Sequence, residues 1–349
     1  MKGDVDAALL ALERFLLRVR PGFADDHRLV ADAQKLSLAY TESRVIDADA
    51  AASLGYLAHF GPRAIVAVCR GLKALPEQAP PWVVDVGAGS GASALAWLCA
   101  GARHVSLVER SAAAVDLAQK LLAGRSFSTT TARADEASPN LNATLVSSAF
   151  TVGEWADDVD VRQTLQRLAP QSRDLLVVDA GDHARARRLQ RLRDQLVQDA
   201  DVVVYGPCAH RDPCPALVRE RDWCHDRVQK GLPPALARFA RNVGRDDRWM
   251  SLSFLAWGRG KPSAHSAVVV IGDPAKEKGR ARVPVCGPAG LRFVQALQRH
   301  RPVHGAVLAL TRGARLPLPL QATVGDTWHV SDVLDIVEVK TNSDDDLML

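Results

Sequence analysis

One string constrains this chain more than any other: "VVDVGAGSGAS" at residues 83–93. A short apolar run contains Asp85, glycines stand at positions 87, 89 and 91, and "ASALAW" continues with helical character. Such text reads as a strand, a tight turn and the start of a helix. Glycines let the backbone turn sharply and let a ligand approach it closely, while the first helical turn offers N–H groups without internal partners. A second apolar run, "HVSLVE", ends on Glu109, 24 residues beyond Asp85. A carboxylate at that strand end accepts hydrogen bonds from ribose hydroxyls.

From Trp82 onward short apolar runs alternate with helical stretches, which predicts an α/β domain with a parallel sheet and crossover helices. Strands are expected at "WVVDVG", "HVSLVE", "DLLVVDA" and "DVVVYG", with the third strand, of unfixed register, inside residues 128–149. "WMSLSFLAWG" and "SAHSAVVVIGD", joined by the turn-rich "RGKP", are expected to form an antiparallel hairpin that closes the sheet. Residues 1–75 read as a separate N-terminal helical unit ended by "PEQAPP". Residues 80–273 read as the sheet domain with a cysteine-rich insertion at 206–226, 276–330 as a small basic β-rich extension, and 331–349 as an acidic tail.

Hydrophobic residues at 47% and charged residues at 24%, without low-complexity runs, exclude a disordered chain. No stretch approaches the roughly 20 consecutive apolar residues of a membrane helix. The acidic residues within "MKGDVDAALLALERFLLRVR" do not suit a secretory or transit leader, so a cytoplasmic, monomeric protein without a membrane role is expected. Charge is unevenly spread. Residues 1–80 hold ten Lys/Arg and ten Asp/Glu, whereas residues 201–315 hold twenty against nine, a surplus of +11. A polyanionic partner is therefore expected at the basic C-terminal half, with "RARRLQRLR" at 185–193 as one candidate stripe and a merely solvated arginine face as the plainer reading.

Two ligands suit the glycine loop, a dinucleotide and S-adenosylmethionine. The G-x-G-x-G spacing, Asp85 inside the strand end and the late hairpin resemble class I S-adenosylmethionine-dependent methyltransferases rather than dehydrogenases. The resemblance implies a Rossmann-like sheet with a donor site on Asp85, Gly87, Gly89, Gly91 and Glu109, and with Asp135 of "ARADEA" approaching the adenine. Enzymes of this class that methylate amines or bases place Asn/Asp-Pro-Pro-Tyr/Phe after the fourth strand. That position is read here as "VVDAGDH", which makes Asp179 and His183 the candidate proton acceptors. The plainer role for Asp179 is to cap the next helix.

Cys69 and Cys99 lie in apolar helical text and read as core residues. Cys208, Cys214, Cys224 and Cys286 stand apart from them, separated by five, nine and 61 residues. Zinc favours tighter pairs, so four thiolates at these gaps favour an iron–sulfur cluster, with zinc as the alternative and His210 and His225 as substitute ligands.

The string "GPCAHRDPCP…DWCH", the upstream "DVGAGSGASALAW" and the later "VCGPAG" and "VGDTW" together resemble one family: the methyltransferase-like assembly factors of the mitochondrial small ribosomal subunit and their bacterial homologues. The resemblance covers about residues 40–330. It implies a four-iron, four-sulfur cluster on Cys208, Cys214, Cys224 and Cys286, binding of small-subunit ribosomal RNA, and, without a transit peptide, a bacterial homologue. The family's "DEKFSYL" is matched only loosely by "DDRWMSLSFLAW", at Asp246, Asp247 and Ser251. Three functions follow as expectations: a methyltransferase acting on or with the small subunit, a non-catalytic RNA-binding assembly factor that uses the donor structurally, and a small-molecule methyltransferase with a structural zinc.

Overall fold

A computed structural model describes residues 2–41, 48–77, 80–137, 143–155, 160–208, 210–244, 248–259, 267–317 and 322–332. In chain order its elements are α1 (Lys2–Val19), α2 (His27–Thr41), α3 (Leu54–Leu72), β1 (Trp82–Val86), α4 (Ala92–Cys99), β2 (His104–Glu109), α5 (Ala112–Leu121), β3 (Phe127–Thr131), β4 (Leu145–Ala149), α6 (Val161–Leu168), β5 (Asp174–Ala180) and α7 (His183–Leu196). There follow β6 (Val203–Gly206), β7 (Asp226–Gln229), α8 (Pro234–Asn242), β8 (Trp249–Gly258), β9 (Ala267–Val270), β10 (Ala275–Glu277), β11 (Arg280–Gly287), β12 (Gly290–Leu297), α9 (Arg301–Ala309), β13 (Arg315–Pro317), β14 (Ala322–Val324) and β15 (Thr327–His329). Among the described residues no helix is long and apolar enough to cross a membrane.

The chain divides into two compact units. The first comprises Met1–Lys73, Glu77–Asp179 and Val228–Met250. Its sheet is parallel, in the order β3-β2-β1-β4-β5, the Rossmann-like order of the class I methyltransferase fold. Val83, Val84 and Val86 of β1 and Leu175 to Val178 of β5 are buried, as strands covered on both faces require. The strand order reverses between β1 and β4, and open α/β sheets bind ligands beyond the carboxyl ends of the strands at that switch point.

Two expectations are corrected in this unit. The text expected to hold a single third strand holds two, β3 and β4. "FSTTT" of β3 is a half-exposed edge strand whose threonines suit a pleated surface without giving an apolar run. In β4 the polar Ser147 and Ser148 are buried, and Ser148 Oγ donates to the Val86 carbonyl (3.1 Å), so a core strand carries hydroxyls. The helices expected to stand apart over residues 1–75 belong, up to Lys73, to the same compact unit as the sheet. Leu9, Leu12 and Leu16 of α1 and Leu57 and Ile65 of α3 are fully buried, one apolar stripe per helix. Glu13 accepts the Ala235 amide at the start of α8 (2.6 Å), fixing a later segment to α1.

The second unit comprises Ala74–Pro76, Ala180–Arg227 and Ser251–Leu349. The expected closing hairpin is not formed by β8 and β9. β8 pairs antiparallel with β6 instead, Val203 opposite Gly258. β9 enters another sheet, of order β13-β9-β11-β12-β15-β14, with β10 on β11. Val268, Val270, Val283, Val285, Val294, Val303, Val307 and Leu316 close one core there, beneath α9. Three valines in a four-residue strand are satisfied by a buried central position, which β9 gains between β11 and β13. The "RGKP" turn beyond Arg259, Asp246 and Asp247, and all but the first two residues of the expected acidic tail lie outside the described residues.

Candidate functional site

In the first unit β1 runs into Gly87 (φ 70°), whose amide donates to the Val108 carbonyl (2.8 Å) and so ties the glycine turn to β2. Gly91 (φ 84°) caps α4 in the left-handed region, and a Cβ there would lie 3.0 Å from the Ala118 methyl. The turn needs glycine for conformation and for packing at once. Glu109 braces it. Its Oε2 accepts the Gly89 amide and its Oε1 the Ser111 amide, both at 2.9 Å. A carboxylate offers about four acceptor positions, so the other two remain for hydroxyls of a ligand.

Asp85 is fully buried. Its Oδ2 takes the Ser93 hydroxyl (2.5 Å), while Oδ1 is enclosed without a hydrogen-bond partner. A buried, unpartnered carboxylate oxygen beside a glycine turn is the feature a donor group of a bound ligand would complete. Burial raises its pKa to about 7, the Ser93 hydrogen bond opposes this, and the charge of Glu109 adds to it. Because the folded-state value lies above the unfolded 3.8, the native state holds a proton that the unfolded chain has released. Ligand-free protein should therefore lose stability as pH rises from about 4 to about 7, by a few kcal/mol at most. Melting curves of wild type and Asp85→Asn across this window test it: the difference between the two should vary with pH, and a constant difference refutes the assignment.

With the strands renumbered, the loop after the fourth strand is Phe150–Glu154. Phe150 is the one non-glycine residue with positive φ (59°) among the described residues, and its amide donates to the Val178 carbonyl (2.9 Å). Such strain persists where surroundings enforce it, commonly at functional loops. The Thr151 hydroxyl lies 3.2 Å from the Gly87 carbonyl, joining this loop to the glycine turn. Asp179, expected as a proton acceptor, is 2% exposed and takes the Gly153 amide on Oδ2 (2.8 Å). It positions the loop. Asp182 caps α7 by accepting the Arg185 amide (3.0 Å). His183 lies in the other unit, its Nε2 against the Glu220 carbonyl (2.5 Å). Asp135 is exposed and paired with Arg133 (3.1 Å), which lowers its pKa.

In the second unit Cys208, Cys214, Cys224 and Cys286 all line one cavity of about 280 Å³, together with Gln190, Arg193 and His225. A single face of α7 holds the cysteine loop. Arg187 donates to the carbonyls of Ala216 (3.1 Å), Arg219 (2.9 Å) and Asp222 (2.8 Å). Gln190 donates to Cys224 O (3.3 Å), and Arg193 donates to the carbonyls of His210 and Asp212. Asp194 accepts the Cys214 amide on both oxygens (3.0 Å). Arg187 and Arg193 are 6% and 1% exposed, so two arginines of the expected phosphate-binding stripe are spent on buried carbonyls. The exposed cations of the second unit include Lys276, Lys278, Arg299 and Arg301.

Burial raises the thiol pKa values, that of Cys214 to about 11 and of Cys286 to about 12, with the neighbouring Cys208 contributing to both. His210 Nε2 lies 3.5 Å from Cys286 Sγ, while His225 stacks on Trp223 with ring centroids 5.8 Å apart. Among the described residues no group of three or more His, Cys, Asp and Glu side chains stands as a metal-holding cluster. The four cysteines share a cavity without converging on one point.

The family described as mitochondrial small ribosomal subunit Rsm22 matches residues 50–315. The chain belongs to this family. No curated protein matches it. Solved structures similar to this Rsm22-family chain include a putative RNA methyltransferase of Pyrococcus horikoshii (15% identity, 60% of this chain and 86% of that one, TM-score 0.35). A SAM-dependent methyltransferase of Leishmania major (16%, 64% and 82%, TM-score 0.39) and magnesium protoporphyrin IX methyltransferase of Synechocystis PCC 6803 (14%, 59% and 81%, TM-score 0.36) are others. At these scores the likeness adds nothing to the topology. The motif strings quoted from the sequence fall within the matched span except "VGDTW". Sequence reasoning on this Rsm22-family chain missed Phe150, Thr151 and the α7 clamp. Arginines at 187 and 193 of one helix, just before a cysteine-rich loop, were the available signal.

Proposed function

We propose that this Rsm22-family protein is an S-adenosylmethionine-dependent methyltransferase with an iron–sulfur cluster, acting on or with the small ribosomal subunit through its RNA. The observation that carries the reading is the gathering of four cysteines, up to 78 positions apart in sequence, round one cavity of a chain that also holds a braced glycine turn at a sheet switch point. What supports the cluster is donor chemistry: four thiols lining one cavity, and the Arg193 charge acting on Cys208 to offset thiolate charge. When bound, a cluster supplies one-electron chemistry and ties its ligands together. Cys208, Cys214, Cys224 and Cys286 would hold it. Glu109 and Asp85 would receive the donor's ribose and a polar hydrogen. Exposed Lys and Arg of the second unit would meet phosphates.

A second reading has its own support. The loop after the fourth strand reads Ala149-Phe150-Thr151-Val152, where related amine and base methyltransferases carry an Asn or Asp. That favours an RNA-binding assembly factor that retains the donor structurally. Labelled S-adenosylmethionine and immature small-subunit RNA separate the two: label in RNA supports transfer, and donor binding without label supports the second.

Cys286 joins β11 to the cysteine loop across a long stretch of chain, so loss of this ligand removes both metal and a tertiary tie. Anaerobically purified Cys286→Ser protein should contain little iron or sulfide and should be cut faster within residues 267–317. Cys99→Ser, outside the cavity, should match wild type. Full iron in the Cys286 variant would remove it from the ligand set, and zinc in place of iron in wild type would favour the zinc alternative with His210.

A further inference from the structure

Residues 275–301, all within the second unit, hold seven Lys/Arg against one acid, Glu277, and form β10, β11, β12 and the start of α9. The charge therefore sits on a sheet. Burial alternates along β11: Ala281, Val283 and Val285 join Val294 and Ala296 of β12 in the core beneath α9, which puts Arg280, Arg282 and Pro284 on the opposite face. The register sets Phe293 opposite Pro284 and Gln295 opposite Arg282, with Thr327 of β15 beside Phe293. Across the diagonal, the Arg282 guanidinium stands over the Phe293 ring, 3.7 Å from its centroid. Its other contacts are weak. Nη2 lies 3.4 Å from the Thr327 hydroxyl and 3.7 Å from Asp326, whose side chain is 62% exposed, and Nε is enclosed without an acceptor. The ring, rather than a carboxylate, orients the guanidinium plane. Of the Arg282 side chain 24% stays open to solvent, and the one acid of the stretch is taken up by Arg280 (2.5 Å). Lys276, Lys278 and Arg299 are exposed around it.

Single-stranded nucleic acid is held where unpaired bases stack on aromatic rings or guanidinium planes while neighbouring cations meet the backbone phosphates. A duplex keeps its bases covered. On the reading that this chain acts with the small subunit through RNA, we propose that Arg282 and Phe293 form a stacking platform for unpaired bases of single-stranded RNA. The positive charge of the stretch attracts any polyanion, and its strength falls with salt. The stack is what selects an unpaired base, because only an exposed base offers a flat face to the guanidinium.

Fluorescence anisotropy of the full chain, purified anaerobically, tests this with a labelled single-stranded RNA, the same strand in a duplex, and the same strand carrying abasic sites along its length. Wild type should bind the intact strand about tenfold more tightly than either of the others, a ratio within the range of one base–aromatic stack. Phe293→Leu keeps an apolar side chain and loses the ring. Arg282→Lys keeps the charge and loses the plane. With folding checked by melting curves, each variant should bind the intact strand no better than the abasic one, while affinity for the duplex stays at the wild-type value. Equal wild-type affinity for all three RNAs, or an unchanged preference in both variants, overturns the inference and leaves RNA binding through phosphates standing. Failure of wild type to bind any of the three at low salt overturns the RNA reading itself.

Discussion

Arg193→Met is expected to destroy the cysteine cavity. The guanidinium is buried and satisfies the carbonyls of His210 and Asp212 while pairing with Asp194 (2.7 Å), which in turn holds the Cys214 amide. Methionine fills much of the volume but donates nothing. The His210 and Asp212 carbonyls then lose their donor and Asp194 keeps only the Cys214 amide, a class of change that costs about 1–3 kcal/mol. The variant should lose iron on purification and be cut by protease between residues 208 and 224. Arg193→Lys should recover only part, because an ammonium is a point charge and cannot fork to two carbonyls as a planar guanidinium does. Donor affinity is the internal reference: its retention shows that the damage is local. A methionine variant with wild-type iron content and protease resistance would show that the loop is held by other means.

Gly87→Ala should be nearly as severe in the other unit. Its positive φ disfavours any side chain by about 1–2 kcal/mol. The added methyl would also stand 2.2 Å from Thr151 Oγ1 and 2.3 Å from Cγ2, distances no relaxed contact tolerates. Thr151 must move, carrying the Phe150 loop away from the glycine turn, and overpacking of this kind adds about 1–3 kcal/mol. Donor affinity should fall more than about tenfold, the equivalent of 1.4 kcal/mol. Combining it with Thr151→Gly should recover the steric part and leave the backbone part, a positive coupling in a double-mutant cycle. Strictly additive losses would show that the two residues do not collide.

Much of the glycine-turn crevice was legible in sequence because its parts are local. Asp85, Gly87, Gly89, Gly91 and Glu109 lie in two strand ends whose apolar runs announce themselves, and backbone turns need particular residues at fixed spacing. β3 and β4 were not separable. One is an edge strand of threonines and the other buries two serines, so neither shows an uninterrupted apolar run. That ambiguity set the fourth-strand position at Asp179, where the strand order sets it at Phe150.

The sequence by itself determined the strand–glycine turn–helix unit, the acid that braces it, and the set of cysteines outside the apolar helices, since each follows from residue type and spacing along one stretch of chain. Only the tertiary structure decided the rest. Whether an arginine in "RARRLQRLR" faces water or a buried carbonyl depends on where the cysteine loop folds back onto α7, and Arg187 and Arg193 are enclosed by residues 17 to 35 positions away. Tyr40 and Glu154 meet across 114 positions of sequence. Periodicity fixes which side of an element is apolar, but a polar contact between distant segments is set by the path of the chain between them, and that path is a property of the packed core.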